Sequence, residues 1–130
     1  AEFQQRTAVF VAAPAGNYTV SSAQNQTQLI STPIANNVAT LPTTASMAGR
    51  YITFLVQSVP NGVNSFTINA GAAIIDGFIN QTNQTNKTTV TFSGVAANTK
   101  IGDKVTLFST GARWIMEAYS SGAASGISAA

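Results

Sequence analysis

The sequence predicts an all-β protein, built as a single-domain β-sandwich or jelly-roll-like barrel. Short segments of alternating apolar and polar residues recur along the 130-residue chain, separated by Gly, Pro, Asn and Asp. None of these segments carries the 3.6-residue apolar period of an amphipathic helix. A chain of this length fits one domain and can bury a core without disulfides or metals. We therefore expect residues 1–130 to form one β domain.

The first third of the chain is uncharged between Arg6 and Arg50. TAVFVAAP predicts a strand ended by Pro14, NYTVSSAQ predicts another, and TQLISTPIANNVATLP predicts a looser extended region. A long uncharged stretch suits a subunit interface, because no charge has to be desolvated there. A polar loop region over the domain is the alternative. Residues 1–48 are thus a candidate extended arm, with three candidate interface residues: Val9, Phe10 and Val11.

A sharper strand pattern covers residues 49–119. RYITFLVQ is largely apolar on both alternating faces, which predicts a central strand. The turn residues of VPNGVNS follow, and SFTINA then alternates again, so these two strands are predicted to form a hairpin. GAAIIDGFIN is a short apolar segment, and TTVTFSGV adds a further strand with Val90 and Phe92 on one side. The tail SSGAASGISAA is predicted to be a flexible end or a docking strand.

The stretch GDKVTLFSTGARWIMEAY, residues 102–119, predicts a tight hairpin that holds the only tryptophan. With the loop centred on the Thr-Gly dipeptide, one face of the hairpin is uniformly apolar. That face consists of Val105, Leu107, Trp114 and Met116. The opposite face is predicted to pair Lys104 with Glu117 and to place Arg113 beside Phe108. The tryptophan is therefore expected to be a core residue rather than a platform for a ligand.

The composition argues against catalysis. The chain has no His and no Cys, which removes the commonest general base and the usual metal ligands. Asp76 and Asp103 each adjoin a glycine in a turn-like context, where a carboxylate ordinarily caps backbone N–H groups. A carboxylate pair for glycoside hydrolysis is the remaining catalytic alternative. We predict a protein that is not an enzyme and has no cofactor or metal.

Nucleic acid and membrane are not predicted as partners. The six Lys and Arg residues are scattered along the chain and form no basic stripe. No apolar run approaches the roughly 18 residues that cross a bilayer. The first residues, AEFQQRT, lack the features of a signal peptide, which favours synthesis in the cytoplasm.

The run NQTNQTNKT, residues 80–88, contains three N-x-T acceptor patterns, and Asn17 and Asn25 begin two more. Glycosylation would require a eukaryotic secretory compartment. The composition is otherwise typical of an exposed, turn-favouring loop. Amide side chains in such a loop could also contact a receptor or glycan. The candidate contact residues are Asn80, Gln81, Asn83, Gln84 and Asn86.

Four segments together resemble a β module of virion surface proteins from tailed phages and large DNA viruses. They are GRYITF, NSFTINAGAAIIDG, VTFSG and GDKVTLFSTGARWIM, and the resemblance covers residues 49–119. It implies a non-enzymatic capsid decoration or cement protein, or a head-spike or fibre subunit. Such a protein would be a homo-oligomer, most simply a trimer, made in the host cytoplasm and bound to the major capsid protein or other virion proteins.

Two other kinds of protein fit the same residues. One is a receptor- or glycan-binding tip that uses residues 80–88 and exposed aromatic side chains such as Tyr18, Tyr51 or Tyr119. The other is a β-rich extracellular filament subunit whose N-terminal arm adds as a strand to a neighbour.

Overall fold

A computed structural model describes residues 9–12, 16–22, 25–31, 36–58, 62–122 and 126–130, and for residues 9–12 it describes the backbone alone. Twelve strands and no helix lie within these ranges. The strands are β1 (Val9–Ala12), β2 (Tyr18–Thr19), β3 (Gln26–Ile30), β4 (Asn37–Thr40), β5 (Tyr51–Val56), β6 (Phe66–Asn69), β7 (Ile75–Ile79), β8 (Thr82–Lys87), β9 (Thr89–Phe92), β10 (Lys104–Ser109), β11 (Trp114–Tyr119) and β12 (Ile127–Ala129).

The strands form two mixed sheets that pack face to face, which confirms the predicted all-β sandwich. The larger sheet has seven strands in the order β1-β3-β5-β10-β11-β7-β8, and the smaller has five in the order β12-β9-β6-β4-β2. The sheets are not closed into a barrel. Each sheet therefore ends in edge strands on both sides of the sandwich.

The first half of the chain winds between the two sheets. β1, β3 and β5 are parallel neighbours in the larger sheet, and β2, β4 and β6 are parallel neighbours in the smaller one. Parallel neighbours need a long crossover connection, and here a strand of the opposite sheet serves as that crossover. The predicted hairpin of β5 with β6 is wrong, because these strands lie in different sheets. Their buried faces meet across the core, where Phe54 packs against Phe66, and alternation alone could not identify the neighbours of either strand.

The second half is mainly antiparallel and contains the predicted Trp114 hairpin, β10–β11. Its apolar face is confirmed, because all four predicted residues are 0% exposed. The predicted cross-strand pairs are wrong by two positions: Phe108 faces Ile115, and Lys104 faces Tyr119. The loop is longer than predicted, with the N–H of Thr110 bonded to the carbonyl of Arg113 at 3.0 Å. A shift of two residues keeps every side chain on its own face, so the core assignment survives.

The centre of the sandwich holds an aromatic cluster. The ring of Phe66 lies 5.9 Å from that of Phe54 and 6.4 Å from that of Phe92, in tilted or edge-on geometry. Trp114 is fully buried in the same core. The C-terminal tail is predicted to be either a flexible end or a docking strand. It contains a docking strand, because β12 pairs antiparallel with β9.

Candidate interaction surfaces

The outward face of the larger sheet exposes a group of large apolar side chains, which we call the apolar face. Its members come from four adjacent strands: Tyr51, Leu55, Phe78, Phe108, Ile115 and Tyr119. Four of them are strongly exposed, with Phe78 at 50%, Phe108 at 42%, Ile115 at 39% and Tyr119 at 55%. The exposure of these side chains results from the alternation of strand residues, since each lies next to a buried residue on its own strand.

The strand register makes these side chains neighbours. Phe108 lies between Tyr51 on β5 and Ile115 on β11. Directly opposed residues on adjacent strands have Cβ atoms about 4.5–5.5 Å apart, so the three form one row. A whole aromatic side chain presents roughly 200 Å². The half-exposed rings of Phe78, Phe108 and Tyr119 therefore leave roughly 300 Å² of apolar surface in water. Patches of that size on soluble proteins are often functional.

A row of threonines crosses the same face. Thr53 and Thr106 share a hydrogen bond between their Oγ1 atoms at 3.1 Å, and Thr27 faces Thr53 on the next strand. The Thr53 and Thr106 hydroxyls satisfy each other, and the methyl groups of these two half-buried residues add to the apolar surface. The face is therefore apolar and hydroxyl-rich at its centre.

Charges at the apolar face are balanced. It carries two cations, Lys104 and Arg113, and two carboxylates, Asp76 and Glu117. Asp76 accepts a hydrogen bond from the backbone N–H of Asn86 at 2.8 Å and is ion-paired with Arg113. The hydrogen bond from the Asn86 N–H lowers the pKa of Asp76 below its usual value, and the Arg113 guanidinium lowers it further. The net charge of the four groups is zero at neutral pH.

Residues 80–88 do not form the predicted loop. They make a tight turn and then the edge strand β8, in which Asn83 faces Phe78 and Gln84 faces Gly77. Asn80 and Asn86 take positive φ values of 54° and 56°, a conformation that Asn tolerates better than most residues. Successive residues of a strand point to opposite faces, so like residues of adjacent triplets, three positions apart, fall on opposite faces.

The five candidate contact residues consequently fall on different surfaces. Asn80 is committed to Ser120: its Oδ1 accepts the Ser120 N–H at 3.0 Å, and its Nδ2 donates to the Ser120 carbonyl at 3.3 Å. Asn83 lies beside the apolar face, whereas Gln84 is half-buried on the inner side. Gln81 is exposed at the turn, and Asn86 is exposed near the end of the strand. Their contact with a receptor or glycan stays a prediction.

Both carboxylates that the sequence offered for chemistry accept backbone N–H groups, as predicted. Asp103 is fully buried and accepts hydrogen bonds from the Ser121 N–H at 2.9 Å, the Ser121 hydroxyl at 2.8 Å and the Lys100 N–H at 3.0 Å. Asp76 accepts the Asn86 N–H described above. No group of three or more Asp or Glu side chains is placed to hold a metal among the described residues.

The interior near β2 and β3 is polar, a feature that the sequence did not reveal. Gln26 and Gln28 point inward and are 3% and 2% exposed. The Tyr18 hydroxyl donates to Oε1 of Gln28 at 2.9 Å, Nε2 of Gln28 donates to Oε1 of Gln26 at 2.7 Å, and Nε2 of Gln26 donates to the Ser21 carbonyl at 2.5 Å. We call these three side chains the amide chain. Burial raises the pKa of the Tyr18 phenol above its ordinary value.

The predicted interface residues lie in β1, at one edge of the larger sheet. β1 pairs parallel with β3, with Val9 opposite Gln26, Phe10 opposite Thr27 and Val11 opposite Gln28. The strand therefore belongs to the sheet of its own subunit. The side chains of these three residues lie outside the described part of the structure, and their contact with a neighbour stays a prediction.

The other side of the sandwich ends in β8 and β12. A groove of about 300 Å³ separates these two edge strands. None of the residues that line it is charged. They are Ile79, Asn80, Thr82, Gln84, Ile127, Ser128 and Ala129. The groove, the apolar face and the β1 edge are the three candidate interaction surfaces.

The sequence matches no protein-family model, and neither a curated protein nor a solved structure is significantly similar to it. Within the described ranges there is no helix with the length and apolar character needed to cross a membrane.

Proposed function

We propose that the protein is a non-enzymatic structural subunit of a virion surface, which associates with copies of itself to decorate or cement a capsid or to build a head spike or fibre. The proposed assembly is a closed symmetric homo-oligomer, most simply a trimer, that also contacts the major capsid protein or another virion protein. The virion setting rests on the sequence resemblance over residues 49–119. The self-association rests on the apolar face.

The single observation behind self-association is the combination of apolar area and balanced charge on one face of the larger sheet. Interface cores are enriched in aromatic side chains and depleted of charged residues. Lys104 and Glu117 lie on the same face as Phe108 and Tyr119, so a second copy can bring each charge near an opposite one. A partner with a strongly acidic or basic surface would gain nothing from a face whose net charge is zero. A second copy of the chain fits both properties.

The carboxylate geometry also supports a structural role. Asp103 accepts hydrogen bonds from the Lys100 N–H and from the Ser121 N–H and hydroxyl, and Asp76 contacts the Asn86 N–H and the Arg113 guanidinium. Carboxylates held in this way stabilise the ends and turns of strands. General acid–base work would need a carboxyl group directed toward a substrate site.

A glycan- or receptor-binding tip is the second candidate. It is favoured by the position of Asn83 directly opposite Phe78, which places an amide beside a half-exposed ring. Binding of purified protein to a glycan or receptor array, abolished by Phe78→Ala, would support this role. Array binding that Phe78→Ala leaves unchanged would remove the apolar face as the contact site.

The self-association test compares matched apolar-to-polar variants. Phe78→Ser combined with Tyr119→Ser removes two exposed side chains from the apolar face. Val95→Ser combined with Ile101→Ser removes two side chains of similar exposure, 46% and 62%, that lie outside it. Light scattering should show the same oligomer mass for the wild type and the control and a smaller mass for the face variant, with similar melting temperatures. An unchanged oligomer mass in the face variant would overturn the assignment of this interface.

The virion role needs its own measurement. Purified protein should bind to particles of its source virus that lack it, with an occupancy that is a multiple of the oligomer number. An oligomer that binds no virion component would leave self-association intact and remove the virion assignment.

A further inference from the structure

Both sides of the sandwich end in a pair of edge strands. The Tyr18–Gln28 hydrogen bond shows that β2 lies across the core from β3, so the β1 and β2 edges lie on the same side. The shared groove shows that β8 and β12 lie on the same side as each other. Because β2 lies opposite β3, β1 projects one strand beyond β2 on its side, whereas β8 and β12 line a common groove on the other side.

The β12 edge has backbone groups that point away from its neighbour. Ala130 and Thr89 exchange two hydrogen bonds, each at 3.0 Å, and are therefore a hydrogen-bonded pair. In an antiparallel ladder such pairs alternate with pairs that do not bond each other. Ser128 bonds toward β9, and the N–H and C=O groups of Ile127 and Ala129 point outward. No strand pairs with that side of β12 in the described ranges.

These edges have few of the features that usually block edge-to-edge pairing. Soluble proteins protect exposed edges with charges, Pro residues or bulges. β12 reads ISA and has none of these, and β8 has Lys87 and a bulge only at the end remote from the turn. β1 and β2 read VFVA and YT and are uncharged.

We propose that the β8/β12 edge of one copy receives the β1/β2 edge of a second copy, so that β1 continues the larger sheet from β8 and β2 continues the smaller sheet from β12. Strand addition of this kind gains affinity from backbone hydrogen bonds. The interior polarity also matches, because the amide chain lies just inside one edge and Thr82 and Gln84 lie just inside the other. This inference rests on the proposed self-association. It identifies β8 of a second copy as the strand that Val9, Phe10 and Val11 would contact.

The contact is head-to-tail, because two different edges meet. Such an interface closes into a ring when the rotation per copy divides a full turn, and otherwise it extends into a filament. A ring agrees with the proposed trimer. Rings and filaments built through these two edges both satisfy the inference.

Cysteine cross-linking tests this contact directly, since the chain has no native cysteine. Phe10→Cys and Val11→Cys sample two successive positions of β1, and Asn83→Cys and Gln84→Cys sample two positions of β8. Each β1 variant is mixed with each β8 variant under mild oxidation. Adjacent strands bring Cα atoms within the 4.4–6.8 Å range of a disulfide, so disulfide-linked dimers should form in at least one mixture. Ile101→Cys, exposed and outside both edges, is the matched control partner.

The outcomes separate this inference from the proposed function. Cross-linking of β1 with β8 variants above the Ile101→Cys control supports the edge contact. No such cross-linking in a wild-type-sized oligomer overturns the edge contact and leaves self-association standing. A protein that stays monomeric at every concentration overturns both.

A proline substitution gives an independent readout. Ala129→Pro removes an outward N–H without removing a hydrogen bond to β9, whereas Ala129→Ser keeps that N–H. If the edge contact exists, Ala129→Pro should weaken head-to-tail association about tenfold, as expected for one lost backbone hydrogen bond. Ala129→Ser should associate like the wild type. Equal association of the two variants, with equal melting temperatures, would contradict the proposed pairing.

Discussion

The centre of the sandwich and its β1/β2 side are filled by different chemistry. The centre packs Trp114 and the cluster of Phe54, Phe66 and Phe92, whereas the β1/β2 side packs the amide chain. Apolar packing stabilises in proportion to the area removed from water and needs no directed partner. The amide chain is stable only while each amide and hydroxyl has its partner, because an unsatisfied buried polar group is costly.

This difference has a consequence for assembly. The apolar centre can exist in an isolated subunit, since it depends on contacts within the two sheets. The polar side lies directly behind the two uncharged edge strands that we propose as an interface. A buried polar chain can fix the register of neighbouring strands, and that role is a hypothesis here.

Trp114→Ala should give the largest loss of stability. Removal of a fully buried large aromatic side chain costs about 3–5 kcal/mol, since the cavity closes only in part. Urea denaturation of the two proteins measures the difference. Phe108→Ala, on the exposed side of the same hairpin, is the control and should cost much less. Equal losses for the two substitutions would mean that the hairpin faces have been assigned the wrong way round.

Gln28→Leu should give the next largest effect. It removes the acceptor of the Tyr18 hydroxyl and the hydrogen bond that Gln28 donates to Gln26, and a buried polar group left unsatisfied costs about 1–3 kcal/mol. The triple variant Gln26→Leu, Gln28→Leu and Tyr18→Phe removes the chain as a whole and should regain much of the loss. If the single variant is as stable as the wild type, the amide chain contributes nothing to this side of the sandwich.

Alkaline pH should act on the polar side through Tyr18. Burial raises the pKa of this phenol, so its ionisation is less favourable in the folded protein than in the unfolded chain. Stability is therefore retained below the ordinary tyrosine pKa of about 10 and falls above it, by at most about 1.4 kcal/mol per pH unit from this group. Melting temperatures measured from pH 8 upward should show a shallower alkaline decline for Tyr18→Phe. A decline identical to that of the wild type would exclude Tyr18 as its source.

Acid pH should have a smaller effect at Asp76, which lies at the exposed sheet face. The Asn86 N–H and the Arg113 guanidinium lower the pKa of this carboxyl group. Its contribution to stability is present above the ordinary aspartate pKa of about 4 and is lost as pH falls through the lowered value. Asp76→Asn should therefore flatten the acid limb of melting temperature against pH. An unchanged acid limb would show that the ion pair with Arg113 contributes no measurable stability.

The predictable parts of the fold are those in which alternation is apolar. The pattern predicts β5, β9, β10 and β11, and the buried faces that it predicts for β9, β10 and β11 are confirmed. The sequence predicts loose extended chain at β3, because its inward residues include Gln26 and Gln28, which are typical of a surface. It predicts a loop at β8, because a triplet repeat does not give the two-residue alternation of a strand.

Strand neighbours and the apolar face could not be predicted in the same way. Alternation reports which side of a strand is buried, but β5 and β6 show that it does not report which strand lies alongside. Phe78, Phe108 and Ile115 become one surface only when β7, β10 and β11 lie side by side. The uncharged stretch of the first third did indicate β1 as an interface candidate, and the structure adds that β1 is an edge strand.

Sedimentation velocity of the wild-type protein over a wide concentration range tests the proposed self-association most directly. The expected result is a species whose mass is a fixed multiple of the 13.4 kDa chain and which dissociates when Phe78 and Tyr119 are both replaced by serine. EDTA and reductant should leave that mass unchanged. A single 13.4 kDa species at every concentration would contradict the proposal, because the apolar face would then be exposed without a second copy to cover it.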